Sequence, residues 1–127
     1  MMDGIDKLEI AKTLIERDLG HCVSSLFFND ILVRLRVVLQ DSTIIIVYFN
    51  DHDQYSYSFI FSSNELDRCR FDNFDDTWKV STTPHHFHPR KTQEGYASPM
   101  LGIPEQDIPR LCDLVKKNIL LDPRCRF

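Results

Sequence analysis

Apolar residues recur along residues 6–19 at steps of three and four, at Leu8, Ala11, Ile15 and Leu19, while Lys7, Glu9, Lys12 and Glu16 fall elsewhere. That spacing lines one face of a helix, and Gly20 supplies its stop. Residues 22–29 follow neither a helical nor a strand period. From residue 31 the period drops to two, with Ile31, Val33, Leu35, Val37 and Leu39 on one face and Arg34 and Arg36 on the other. This predicts a half-buried strand. After the turn Gln40-Asp41-Ser42, residues 43–49 are β-branched and apolar on both faces, as in a central strand. Asn50-Asp51-His52-Asp53 reverses the chain into residues 55–61, where Tyr55, Tyr57, Phe59 and Phe61 alternate with Ser56, Ser58 and Ile60. Residues 66–73 set Arg68, Arg70 and Asp72 against Asp67, Cys69 and Phe71, and residues 78–80 read as a short last strand. Connections this brief join antiparallel neighbours.

Residues 81–103 show no period and are punctuated by Pro84, Pro89, Gly95, Pro99 and Gly102, which predicts a long loop. Residues 107–120 return to helical spacing, with Leu111, Leu114, Val115 and Ile119 as the apolar stripe, Pro109 in the first turn and Lys116 and Lys117 near the end. The expected fold is α+β: an antiparallel four- to five-stranded meander packed against an N-terminal and a C-terminal helix. It forms one domain over residues 1–127, divided into an N-terminal helical part (1–30), the sheet (31–80), a His-rich loop (81–103) and the C-terminal helix (104–122).

Composition narrows the function classes. With 127 residues, 43% of them hydrophobic and 27% charged, the chain has the balance of a folded domain and not of a disordered tail. A net charge of -4 argues against a broad grip on nucleic acid, which needs many Lys and Arg against phosphates, and leaves room only for a local basic site. Cys22, Cys69, Cys112 and Cys125 are scattered without a C-x-x-C pair, the Met-Met-Asp start has no secretory character, and no apolar run approaches the roughly 18 residues of a membrane span. The expectation is a cytoplasmic protein with reduced thiols and no membrane partner.

Long loops in compact domains often carry function, and this one holds three of the five histidines, His85, His86 and His88, between Pro84 and Pro89. The prolines fix φ on both sides and so reduce the entropy lost in holding the imidazoles in one arrangement. Paired imidazoles beside cations suit acid-base chemistry on a phosphodiester, and Arg34, Arg36, Arg68, Arg70, Arg90 and Lys91 are the cations in reach of such a loop. The same arginine rows also fit the wet face of a half-exposed sheet. The aromatic row of Tyr55 and Tyr57 fits a core as well as a base-stacking platform. On an extended backbone His86 and His88 point the same way, so a His-coordinated metal stays open as another reading, although the spacing to Glu94 suits a cupin-like set poorly.

Arg70-Phe71-Asp72-Asn73 followed by Pro84-His85-His86-Phe87-His88 resembles the TumE family of small toxins from prokaryotic toxin-antitoxin pairs. The likeness runs from about Tyr55 to His88, interrupted by an acidic insertion at residues 74–83. It implies a growth-inhibiting protein held by a cognate DNA-binding antitoxin; RNA is the candidate target from the histidine and arginine chemistry, and a homodimer is the candidate assembly. It also places Arg70, Asp72, Asn73, His85, His86 and His88 at the site, with Tyr57 as neighbour. The expected activity is metal-independent RNA cleavage: His85, His86 and His88 exchange protons, Arg70 stabilises charge, Asp72 orients a histidine, and Asn73, Tyr57, Arg34, Arg36 and Lys91 bind substrate. This reading assigns no metal ligand and no cofactor. The layout is also similar to compact RelE-type ribonuclease folds by analogy. A non-catalytic toxin or binding module that grips a macromolecular partner stays open as the alternative from another class.

Overall fold

The structure is a computed structural model that describes residues 2–74, 77 and 79–127. Helix α1 (Gly4–Leu19) begins where Asp3 Oδ1 accepts the Asp6 amide hydrogen at 2.9 Å, a side-chain cap on an otherwise orphaned donor. Its start is fixed to the sheet by the Gly4 amide, which donates to Asp51 Oδ1 at 2.8 Å. Any side chain at Gly4 would meet the Phe49 carbonyl, since a Cβ there would stand 2.9 Å from that oxygen. Seven strands follow in chain order: β1 (Val23–Asn29), β2 (Arg34–Leu39), β3 (Ile44–Phe49), β4 (Tyr55–Ile60), β5 (Arg68–Asp72), β6 (His86–His88) and β7 (Tyr96–Ala97). Every neighbouring pair is antiparallel. Helix α2 (Pro104–Lys116) closes the chain on the same face as α1.

The α+β class and the antiparallel meander agree with the sequence expectation, but seven strands replace the expected four to five. The unpatterned segment 22–29 holds the end of a 3-10 turn at Cys22 and then β1, whose alternation is lost to a register shift between Val23 and Ser25. The strand expected from residue 31 begins at Arg34, because Asn29 Oδ1 accepts the amides of Ile31 and Leu32 and Val33 takes a positive φ of 54° in the turn. The loop expected over residues 81–103 contains β6 and β7. Of the last strand expected at 78–80, Lys79 and Val80 are not in a strand, and Trp78 lies outside the described residues, as do Asp75 and Asp76. The C-terminal helix ends at Lys116, where the left-handed Asn118 (φ 56°) breaks it before a short 3-10 turn.

One face of the sheet carries the core. Leu35, Val37, Ile45, Val47, Phe49, Tyr57, Phe59 and Phe71 pack beneath Leu8, Ala11 and Ile15 of α1 and Ile108 and Leu111 of α2, all essentially without exposure. Each such large apolar side chain contributes about 1.5–3 kcal/mol relative to leaving it in water. Among the described residues, no helix lies over the opposite face. Cross-strand register lines up Arg36, Ile46, Ser58, Arg70 and His88 in one row, and Arg34, Tyr48, Ser56, Asp72 and His86 in the next. Directly opposed residues share a face, so the arginines of β2 and β5 stand on the same open side as both histidines of β6.

Candidate active site

Phe87 orients the histidines beside it. Its ring stacks on Phe71 at 4.6 Å and meets Phe127 edge-on at 5.0 Å, so it is held on the core side of β6. Side chains alternate along a strand, and His86 and His88 are therefore driven to the open face. The approach to β6 is tied down by Thr82, whose Oγ1 donates to the His85 carbonyl at 2.7 Å and accepts the Ser98 amide at 3.0 Å. The Thr83–Pro84 bond is cis.

Asp72 lies directly opposite His86 in the register and is buried with it, each side chain 1% exposed. His86 Nε2 stands 2.6 Å from Asp72 Oδ1, and His88 Nε2 stands 3.7 Å from Oδ2. The Arg70 guanidinium forms an ion pair with Oδ2 while remaining half exposed at the surface. The two imidazole rings meet edge to face with centroids 4.8 Å apart. Their far nitrogens are committed: His86 Nδ1 lies 3.0 Å from the Pro84 carbonyl oxygen and His88 Nδ1 lies 3.2 Å from that of Gln93. A carbonyl oxygen only accepts, so Nδ1 carries the hydrogen on both rings and a neutral imidazole presents an Nε2 lone pair to Asp72. Burial pushes His88 below the ordinary histidine range; Arg70 and His86 push it further, against the pull of Asp72.

His88 and Arg70 stand at one end of a groove of about 600 Å³ that crosses the open face past Ser58, Ser56 and Tyr48 to Arg34. The Arg34 guanidinium lies 5.4 Å over the Tyr48 ring. Ser56, Ser58 and Tyr48 are groove residues that the sequence reading did not name as site residues, and Arg68, named there among the available cations, joins them; for the two serines the signal was present in β4, whose polar positions alternate with an aromatic core row. Arg36 continues the row of Arg70 and His88, three strands from Arg70 and thus about 14 Å away at about 4.8 Å per strand.

The remaining expected site residues lie elsewhere. His85 points away from the cluster: its Nδ1 is 2.9 Å from Tyr55 Oη and its ring stacks on Tyr55, and burial lowers its pKa. Tyr57 is wholly buried on the core face, where its hydroxyl donates to Asp107 Oδ2 at 2.7 Å and burial raises its pKa well above the usual phenol value. Asn73 ties two turns together, accepting from the Tyr55 amide at 3.0 Å and donating to the Asp53 carbonyl at 2.9 Å. Lys91 pairs with Asp67 at 3.3 Å, beside the ion pair of Arg90 with the same carboxylate. The structure thus brings together Arg70, Asp72, His86 and His88, with Arg34 and Arg36 on the same face, and separates them from His85, Tyr57, Asn73 and Lys91.

The family model described as Toxin TumE matches residues 11–119, most of the chain, and so includes the whole cluster, all of α2 and the second half of α1. The chain belongs to the TumE toxin family. No curated protein and no solved structure matches it. No helix of this toxin, among the described residues, is long and apolar enough to cross a membrane.

Proposed function

We propose that this TumE-family toxin stops growth by cleaving RNA, with Arg70, Asp72, His86 and His88 as the reaction centre. The observation that carries the reading is the convergence of two imidazole Nε2 atoms and a buried carboxylate beside a half-exposed guanidinium at the end of a groove. Arg70 is the group that reaches a backbone phosphate from there, and it offsets the charge that builds on the phosphorus oxygens. The Nε2 and carboxylate acceptors receive the proton of an attacking ribose 2′-hydroxyl. The oxygen–phosphorus bond to the departing 5′-oxygen breaks as the new one forms, and the 5′-oxygen leaves with a proton returned from the site. Without a cofactor, each ring has a single atom for this exchange, because Pro84 and Gln93 hold both Nδ1 hydrogens. Arg34, Ser56 and Ser58 line the path of the strand and Arg36 stands on the same face, a local basic track in an otherwise acidic protein.

A cognate DNA-binding antitoxin is the expected partner, and a compact RelE-like ribonuclease architecture remains an analogy of layout. Induced expression in a bacterial host of the toxin and its His86→Ala/His88→Ala variant, at matched soluble levels, tests the reading. The toxin is expected to arrest growth and fragment total RNA, and the variant to do neither. Arrest with intact RNA would remove the ribonuclease chemistry, and RNA fragmentation by the variant would remove the site.

A further inference from the structure

The geometry points to a divalent transition-metal site formed by Asp72, His86 and His88. Their ligand atoms all lie within 4.8 Å of one another, and all three side chains are largely shielded from water. The arrangement has the order expected of a metal site, in that each imidazole donates its outer N–H to a backbone carbonyl and turns its other nitrogen inward. What remains at the centre is a set of acceptors: two Nε2 lone pairs and a carboxylate oxygen.

Like lone pairs held this close repel one another unless something positive sits between them. Arg70 meets only the outer oxygen, Oδ2, and does so from the surface. Among the described residues, His86 Nε2 is buried without a hydrogen-bond partner although it stands 2.6 Å from Asp72 Oδ1. Two species answer that demand. An extra proton makes His86 an imidazolium held between Pro84 and Asp72, or a cation bridges the three ligands. The proton serves the His86–Asp72 pair alone, whereas a cation held by that pair has the Nε2 of His88 within reach as a third ligand.

The distances suit a small ion. Metal–nitrogen and metal–oxygen bonds of about 2.0–2.2 Å place neighbouring ligand atoms roughly 3–4 Å apart. The 3.7 Å between His88 Nε2 and Asp72 Oδ2 already lies in that range, whereas His86 has to withdraw from the 2.6 Å it keeps to Oδ1 by about 0.4–1.4 Å and a set spread over up to 4.8 Å has to draw in by about 1 Å. Two imidazoles with one carboxylate select a first-row cation such as Zn²⁺, Co²⁺ or Mn²⁺ over Mg²⁺ or Ca²⁺, which favour all-oxygen sets. Three protein ligands leave a coordination position free, as catalytic sites do, and here the open side is the groove shared with Arg70. The inference uses the residues of the proposed ribonuclease centre but stands on metal binding alone; a bound cation takes the two Nε2 lone pairs, so the proton transfers described above are those of the metal-free site.

The test is titration of the full chain, stripped with a chelator, with Co²⁺ and with Zn²⁺. The same is done for His85→Ala and for His86→Gln and His88→Gln, singly and together, each checked for folding by circular dichroism. One equivalent of Co²⁺ with visible d–d absorption is expected for the wild type and for His85→Ala, displaced by Zn²⁺. Either glutamine variant is expected to bind at least tenfold more weakly. Wild-type affinity equal to that of the folded double variant would overturn the metal site. Metal binding with cellular RNA intact would leave the site and remove only the ribonuclease reading. RNA cleavage in excess chelator by a chain with no metal affinity would do the reverse.

Discussion

Two carboxylates are buried on opposite faces of the same sheet, and they are treated differently. Asp107, in the first turn of α2 beneath the core face, is 2% exposed and accepts from Tyr57 Oη at 2.7 Å, the Leu101 amide at 3.0 Å and the Gly102 amide at 2.7 Å. All three partners are unambiguous donors, and the helix N-terminus favours the negative charge as well. Asp72, on the open face, is 1% exposed and faces an ion-paired guanidinium and two imidazoles whose donor hydrogens point elsewhere. Burial of a charge is therefore not what marks the site. The mark is burial against acceptors, with the Nε2 of His86 facing the carboxylate and no donor hydrogen of either ring turned toward it.

The contrast predicts that the two carboxylates separate stability from function. Asp107→Ala leaves two amide hydrogens and a tyrosine hydroxyl without a partner, a loss of about 3 kcal/mol in total, which thermal unfolding should register as a fall of roughly 10 °C. A shift of under about 2 °C would break the comparison on the core side. Tyr57→Phe removes only one of those bonds and is expected to cost about 1–2 kcal/mol in denaturant unfolding while sparing growth arrest; arrest lost in a folded Tyr57→Phe protein would restore the tyrosine to the site. His85→Ala gives up the contact with Tyr55 for about 1 kcal/mol and should leave toxicity intact, since its ring lies outside the cluster.

The smallest effect concerns Asp67, whose carboxyl is held well below the usual range by Arg90, with Lys91 adding to it. A depressed folded-state pKa gives stability that is complete above the unfolded value of about 3.9 and fades as pH falls toward the folded one. The gap in denaturant midpoint between wild type and Asp67→Asn should therefore be open at about pH 6 and narrow by about pH 2. A gap that widened with acid would reverse the sign of the argument.

Periodicity made α1, β2, β3, β4, β5 and α2 legible, because each runs long enough to repeat its apolar face. It did not reveal β1, whose bulge breaks the alternation, nor β6 and β7, which at three and two residues are too short to show a period. The site was legible in part. The histidine loop and the Arg70–Asp72 strand end carried its chemistry in their residue types. The parity of an extended segment set His86 and His88 together, but the reading kept His85 with them, and the structure places it apart on Tyr55. The pairing of Asp72 with His86 was not readable, since it depends on a strand register across the insertion of residues 74–83. The partner of Tyr57 was hidden for the same reason, as Asp107 arrives from a helix 50 positions away.

The most direct test of the account is growth on induced expression of Asp72→Asn at a soluble level matched to wild type. The substitution keeps the shape of the side chain and removes its charge. The account predicts a folded protein, melting within about 4 °C of wild type, whose expression no longer stops growth. Full growth arrest by that folded variant would contradict the placing of the toxin's chemistry at Asp72, His86 and His88.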